Sequence, residues 1–443
     1  MRFFHLSDLH IGLKLMNRDL KEDQVYILNE IVALAVQHKP DAIIIAGDIY
    51  DKAVPSAEAV AVFDTFISDL VQQLPGIYIL LISGNHDSAP RVNCFRNVLN
   101  QQHIYMIGMP PQQPNEHIEK VVLQDKWGEV NFYLLPFIKP SMVRQILNAE
   151  SAEKIVSARK GEIIESIKNL KITKNTKCDK NSKTTEKIKV NTESENFVSE
   201  IDILESADTE NTYTGKSYDT VMRQMLAREA INPHERNVFV SHQFYLPKGV
   251  NAEEIERADS EIRTVGNIDE IGGDVLEIFD YAALGHIHKP MKIGSEVYRY
   301  CGTPLACSVS EAGQQKHILM VDMQEKGDVS VTELPLVPLR NVRVIKGTLE
   351  AVLQQACADY VTVVLTDKVD VDVMDMQARL RQAFPYLLEI RRENIRSTDY
   401  SSDVEMEDLK NPFELCCAFL KDMQDTEKAL LQDVINTVKG AEK

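Results

Sequence analysis

The chain has 443 residues, with 67 Asp plus Glu against 49 Lys plus Arg, a formal net charge of −18, and 44% hydrophobic residues. At roughly 100–200 residues per domain this predicts two or three folded units with sizeable cores, which excludes wholesale disorder. No run approaches the roughly 18 consecutive apolar residues of a membrane-spanning helix, and the acidic balance gives no global basic footprint for nucleic acid. The opening run Arg2 to Leu6 lacks a signal peptide's layout, so a cytoplasmic protein is expected. Seven cysteines, odd in number and without CxxC spacing, read as reduced thiols.

In chain order, short apolar runs at Arg2 to Leu6, Ala42 to Ala46, Ile77 to Ser83, Val130 to Leu135, Asn237 to Ser241 and Tyr281 to Leu284 predict buried strands. Between the second and third, Pro55 to Leu74 predicts a helix, with Val60, Phe63, Ile67, Leu70 and Val71 spaced for one face. This is α/β alternation. It breaks at about 161–215, where a lysine-rich stretch (Lys168 to Lys183) is followed by an acidic one (Glu193 to Glu210); the composition reads as a solvated insertion rather than a nucleic-acid arm. After about 335, Val342 to Ile345, Leu349 to Ala358, Tyr360 to Leu365, Val373 to Ala383 and Leu387 to Arg391 alternate strand-like and helix-like patterns, predicting a small α+β domain. The tail predicts two helices, one capped at Asn411 to Glu414 with Phe413 and Leu420 on its apolar side, the next with Leu431 and Ile435. Two such helices cannot own a core, so they dock on the protein itself or offer a face to a partner.

The residues just past the strand ends carry the chemistry. The first strand runs into Asp8 and His10, the second into Gly47, Asp48 and Asp51, the third into Gly84, Asn85, His86 and Asp87, and the last two into His242 and into Gly285, His286 and His288. Ends of neighbouring strands in an α/β sheet share one rim. Residues two apart on extended backbone, such as Asp8 and His10, point the same way with Cα atoms about 6–7 Å apart, so both reach one site. The pair His286 and His288 repeats that spacing, which suits two ions about 3.5–4 Å apart. Carboxylate, amide and imidazole ligands without thiolate suit Mn²⁺, Fe²⁺ or Zn²⁺, and two such ions predict phosphoester hydrolysis. Glycines at 47, 84 and 285 are expected to let the backbone turn sharply there. Asp87 is expected to hydrogen-bond backbone and fix its loop.

The motif order DxH, GDxxD, GNHD, a later His and GHxH resembles the calcineurin-like metallophosphoesterases, through FFHLSDLHIG, GDIYD, ISGNHDSAPR, VSHQF and FDYAALGHIHKP. These segments and the run YCGTPLACSVSEAGQQKH look most like the family's bacterial DNA-nuclease branch; protein phosphatases usually show GDxxDRG and GNHE, whereas this chain has GDIYDKA and GNHD. The resemblance implies an α/β sandwich of two central sheets flanked by helices, formed by 1–160 and 216–330 around the insertion at 161–215, with a capping domain at 335–400 that presents DNA and a helical tail at 405–443. It implies two divalent ions, Mn²⁺ foremost. Asp8, His10 and His288 would hold one, Asn85, His242 and His286 the other, and Asp48 would bridge them. Residue His86 would be the family's non-ligand catalytic histidine. Asp51 would orient it or serve only as a turn residue, and Arg91 would contact a DNA phosphate or form a surface ion pair.

The activity implied is 3′–5′ exonuclease and hairpin or end endonuclease action on double-stranded DNA, by a homodimer joined to two coiled-coil ATPase subunits that bind the tail through Phe413, Leu420, Leu431 and Ile435. An alternative keeps the fold and changes the substrate to a phosphoprotein or cyclic nucleotide. A degenerate site serving assembly alone conflicts with every ligand position being filled.

Overall fold

The computed structural model describes residues 1–152, 213, 215–250, 255, 258, 259, 261, 270–367 and 373–393, and positions 424, 427, 428, 430, 431 and 435 of the tail. Nearly all of the predicted insertion, and Phe413 and Leu420, lie outside the described residues. Residues 1–391 form one compact unit and 392–443 a second. In the second, Gln424 accepts from the amides of Glu427 and Lys428 and its own amide donates to the Glu427 carboxylate, which caps a helix start. Leu431 and Ile435 sit at helical positions and are half-buried.

Two six-stranded sheets make the body of the first unit. One runs Val329–Pro335, His317–Met323, Arg2–Leu6, Ala42–Ala46, Tyr78–Ile82, Ile104–Ile107, its last four strands parallel. The other runs Met291–Ile293, Ser295–Tyr300, Tyr281–Leu284, Arg236–Ser241, Gly128–Leu135, Glu119–Asp125, its middle four strands parallel. Parallel strands are covered on both faces, and so they read as unbroken apolar runs. AIIIA shows how. Ile43 and Ile45 pack outward with helices Lys21–His38 and Ala57–Gln73, while Ala42, Ile44 and Ala46 face the second sheet alongside Phe132, Val238 and Ala283. Beyond the second sheet, the helical residues 140–152 and helix Tyr218–Ala227 bury Val143, Ile146, Val221, Met222 and Met225. Four layers result, helix, sheet, sheet and helix, as the motifs implied.

Helix Ala57–Gln73 begins where Ser56, extended, accepts from the Ala59 amide, so Pro55 precedes the cap rather than opening the helix. Its buried line is Ala59, Val62, Phe63, Phe66 and Leu70. The predicted face was offset by about one residue: Val60 is exposed, and Ile67 and Val71 lie on the half-buried flank. The sheet selects the line carrying both phenylalanines, whose larger area outweighs the extra valine.

His5 is a polar residue sealed between the sheets. Its Nδ1 lies 2.9 Å from the Tyr281 hydroxyl and its Nε2 3.2 Å from the Leu284 carbonyl, and burial pushes the imidazole down to about 3. A histidine held neutral below its ordinary value leaves stability intact above about pH 6.5 and erodes it as pH falls toward 3, because the unfolded chain takes the proton first. The expected slope approaches about 1.4 kcal/mol per pH unit. Urea denaturation of wild type and His5→Gln between pH 7.5 and 4.5 checks this: the variant, though less stable, should lose less on acidification.

The third sheet is small. Strands Val342–Gly347, Tyr360–Leu365 and Leu387–Arg392, with helices Leu349–Leu353 and Val373–Ala383, enclose Val352, Val361, Val363, Leu380 and Phe384. The first helix ends at Leu353 rather than running to Ala358, because the chain must turn back for Tyr360 to pair with Val342. This module packs on the body through Leu15, Leu20, Val342 and Tyr360.

Candidate metal centre

At the C-terminal rim of the first sheet, two loops extend the parallel pairing. The amides of Asp8, His10 and Ile11 donate to the carbonyls of Gly47, Asp48 and Ile49 at 2.9–3.0 Å. Holding side chains above that rim demands unusual backbone. Asp8, His10, Asp48 and His286 all have positive φ (53°, 43°, 49° and 101°), costing of order 1–3 kcal/mol each for non-glycine residues. Such strain persists only where surrounding contacts over-determine it.

The glycines serve two purposes. Gly47, at φ +90°, turns the chain as expected. Gly84 and Gly285 instead make room: a Cβ on Gly84 would lie 2.1 Å from Asp48 Oδ1, and one on Gly285 1.9 Å from the Ala46 carbonyl oxygen.

Two groups of donors meet across Asp48. In one, His10 Nε2 and His288 Nε2 stand 3.1 Å apart, and Asp8, His10 and His288 place one donor atom each within 4.8 Å of the others. In the other, Asn85 Oδ1 lies 3.0 Å from His242 Nε2 and 2.9 Å from His286 Nδ1. Asp48 Oδ2 is 3.7 Å from His10 Nε2 and 3.3 Å from His242 Nε2, between the two groups. All seven side chains named by the motifs are therefore gathered.

Electrostatics favours cations here. Burial would raise Asp48, but the neighbouring His242 outweighs it and, with His10 and His86, holds the carboxyl well below the usual range. Burial would lower His242, and the Asp48 carboxylate reverses this, lifting the imidazole to about 9. Burial pushes His10 down to about 3 and Asp8 up to about 6. The donor set passes a direct test of fit. Two imidazole nitrogens facing each other can share only one proton, and His10 Nδ1 is buried with no hydrogen-bond partner. Two nitrogens each about 2.1 Å from one ion, on adjacent coordination positions, lie about 3 Å apart. The observed separation of 3.1 Å fits that geometry.

Residues 1–290 match the calcineurin-like phosphoesterase family. The chain belongs to that family. Residues 338–424 match the Type 5 capsule protein repressor C-terminal domain. The chain is 25% identical over 412 residues to the SbcD subunit of the nuclease SbcCD of Staphylococcus epidermidis, covering 92% of this chain and 89% of that protein. It is 25% identical over 357 residues to the corresponding SbcCD nuclease subunit of Staphylococcus saprophyticus, covering 80% of this chain and 74% of that protein.

In this metallophosphoesterase, His86 is half-buried, its ring edge-on to His10 at 4.8 Å. Its amide donates to Asp48 Oδ1 at 2.8 Å and its Nδ1 lies 3.0 Å from the Asp51 main-chain carbonyl. The group of Asp51 within hydrogen-bond reach of Nδ1 is thus its main-chain carbonyl, which can accept the Nδ1 proton and leave Nε2 for other partners. Asp51→Asn should consequently change turnover less than about threefold, below roughly 0.7 kcal/mol; steady-state hydrolysis of a generic phosphodiester checks this.

Asp87 does what was expected. Its carboxylate accepts from the amides of Gly84, Ile49 and Tyr50 at 2.9–3.0 Å, tying the Asn85 loop to the Asp48 loop. Arg91 is exposed on the short helix Ala89–Val92 and forms no ion pair among the described residues, leaving its guanidinium available at the surface.

Sequence reasoning missed the residues that hold these donors. Gln24 donates to the His10 carbonyl at 2.7 Å and accepts from the Gly12 amide at 2.9 Å. Glu261 accepts from the His288 amide at 2.9 Å. Glu311, buried, lies 3.6 Å from His288 Nδ1 and is held by Lys316 at 2.7 Å and Thr303 at 3.1 Å. The one available signal was Glu311 followed five residues later by Lys316 in an otherwise neutral run.

Proposed function

We propose that this phosphoesterase is a Mn²⁺-dependent DNA nuclease, the SbcD component of an SbcCD-type complex, acting in the cytoplasm as a 3′–5′ exonuclease and as an endonuclease on hairpins and blocked ends in repair and recombination. The observation that carries the reading is Asp48 Oδ2 standing between two groups of converging donors. Asp8, His10 and His288 would hold one ion, Asn85, His242 and His286 the other, with Asp48 shared. Two divalent ions there would clamp the phosphate, lower the pKa of water and offset charge in the in-line transition state.

The rest is done by the chain itself. His86, its Nδ1 fixed by Asp51, presents Nε2 to protonate the leaving oxygen or to hydrogen-bond the phosphoryl group. Asp87 keeps the two central loops in register, so His86 and Asn85 approach the same phosphate. Arg91 would take a neighbouring DNA phosphate through its fork. Residues 335–400 would present DNA, and 405–443 would bind the base of an SbcC-type coiled-coil ATPase, in a heterotetramer with two copies of this chain.

With a net charge of −18, the chain by itself should bind DNA weakly and with strong salt dependence, the partner supplying much of the basic surface. The test is direct: purified chain and Mn²⁺ with linear DNA, a DNA hairpin, a phosphopeptide and a cyclic nucleotide. Preferential degradation of the two DNAs is expected; faster turnover of phosphopeptide or cyclic nucleotide would reassign the substrate.

A further inference from the structure

The helix Lys21–His38 places two buried residues side by side in its first turn, Asp23 and Gln24, and they reach in different directions. Gln24 clamps the loop carrying His10, its amide nitrogen on the His10 carbonyl and its amide oxygen on the Gly12 amide. Asp23 faces the C-terminal three-stranded module: its Oδ2 accepts from Arg340 Nη1 at 2.8 Å and from the Tyr360 hydroxyl at 2.7 Å. The Arg340 guanidinium also bonds Glu22 and lies 4.4 Å over the Tyr386 ring, so the latch has little freedom. A second support reaches the same place. Strand Val342–Gly347 of the module runs against the turn Val309–Glu311, whose Glu311 faces His288 Nδ1. Both paths end on His10 and His288, the pair whose Nε2 atoms are 3.1 Å apart. In the other half, His242 is braced from within the sandwich, by the Ala46 carbonyl 2.7 Å from its Nδ1.

From this we infer that Asp23 and Gln24 are positioning residues that couple the docking of the C-terminal module to the Asp8–His10–His288 half of the centre, so that loosening the module weakens one ion and spares the other. The inference rests on the two-ion reading above. Its physical basis is geometric. Removing Arg340 leaves the buried Asp23 carboxylate short of a charged partner, which costs more than the bond itself. The first turn relieves that by shifting toward water. Gln24 is the next residue on the same turn and moves with it, carrying the His10 carbonyl on a loop already held at positive φ. Partners one layer behind metal ligands typically alter affinity 10–100-fold, and a latch one step further out should give roughly three- to tenfold.

Calorimetric titration of Mn²⁺ into the full chain tests this without any substrate. Wild type should bind two ions. In Arg340→Gln, Tyr360→Phe and Gln24→Leu, the dissociation constant of one ion should rise by about three- to tenfold or more while the other changes less than about twofold. The double variant Arg340→Gln with Gln24→Leu should be no worse than Gln24→Leu alone, since the latch acts through the clamp; a role confined to stability would lower the melting temperature without this non-additivity. Folded single variants that bind both ions as wild type does, or full additivity in the double variant, overturn the coupling and leave the metal centre standing. Failure of wild type to bind an ion pair overturns both. Should Arg340→Gln not fold, Tyr360→Phe, which removes one hydroxyl, decides.

Discussion

Asp48→Asn is expected to lower phosphodiester hydrolysis by about a thousandfold or more, on the order of 4 kcal/mol of transition-state stabilisation. Asparagine is nearly isosteric, so packing is preserved and the change is one of charge. Asp48 is the carboxylate that lies within 3.7 Å of His10 and 3.3 Å of His242, one histidine from each donor group. A neutral amide would put an NH₂ or a weakly donating oxygen where both groups need a shared anion, and His242 would lose the neighbour that sustains its raised proton affinity. Calorimetry should show loss of at least one Mn²⁺ ion, and binding to the proposed ATPase partner should be unaffected. Wild-type turnover in this variant would remove the two-ion mechanism.

His86→Ala is expected to separate binding from turnover. The proposed ligand set is untouched, so two ions should still bind, yet hydrolysis should fall about 10²–10⁴-fold, the range of a positioned acid or base. The prediction is sharp because His86 sits so close to the centre, with His10, Asp48 and His86 donor atoms all within 4.8 Å of one another. Proximity alone would equally suit a ligand. The ion count distinguishes the roles: loss of an ion in His86→Ala would reassign His86 as a ligand. The same experiment in Asp51→Asn, which keeps the carbonyl holding His86 Nδ1, should give nearly wild-type turnover.

The central strands were legible because parallel strands buried on both faces leave little room for polar residues, as AIIIA and YILLI show. The outer strands were less so. Glu119–Asp125 and Val329–Pro335 each have one exposed face, and their alternation is diluted by lysine and glutamate. Helix Ala57–Gln73 was legible in extent, but its buried face depended on which line of residues the sheet met.

By itself the sequence determined the donors. Metal chemistry restricts them to a few residue types that fall just past strand ends sharing one rim, so the seven could be read as a set; the extended backbone expected through Asp8–His10 and His286–His288 is not what the chain adopts, since Asp8, His10 and His286 stand at positive φ. Only the tertiary structure decided what holds those donors. The Asp51 carbonyl behind His86 is a main-chain atom common to every residue type, Gln24 and Glu311 become neighbours of His10 and His288 only once the sheets and loops have packed, and the Arg340 latch on Asp23 spans more than three hundred positions of chain. A ligand is specified by its own chemistry, whereas a support is specified by distance, and distance exists only after folding.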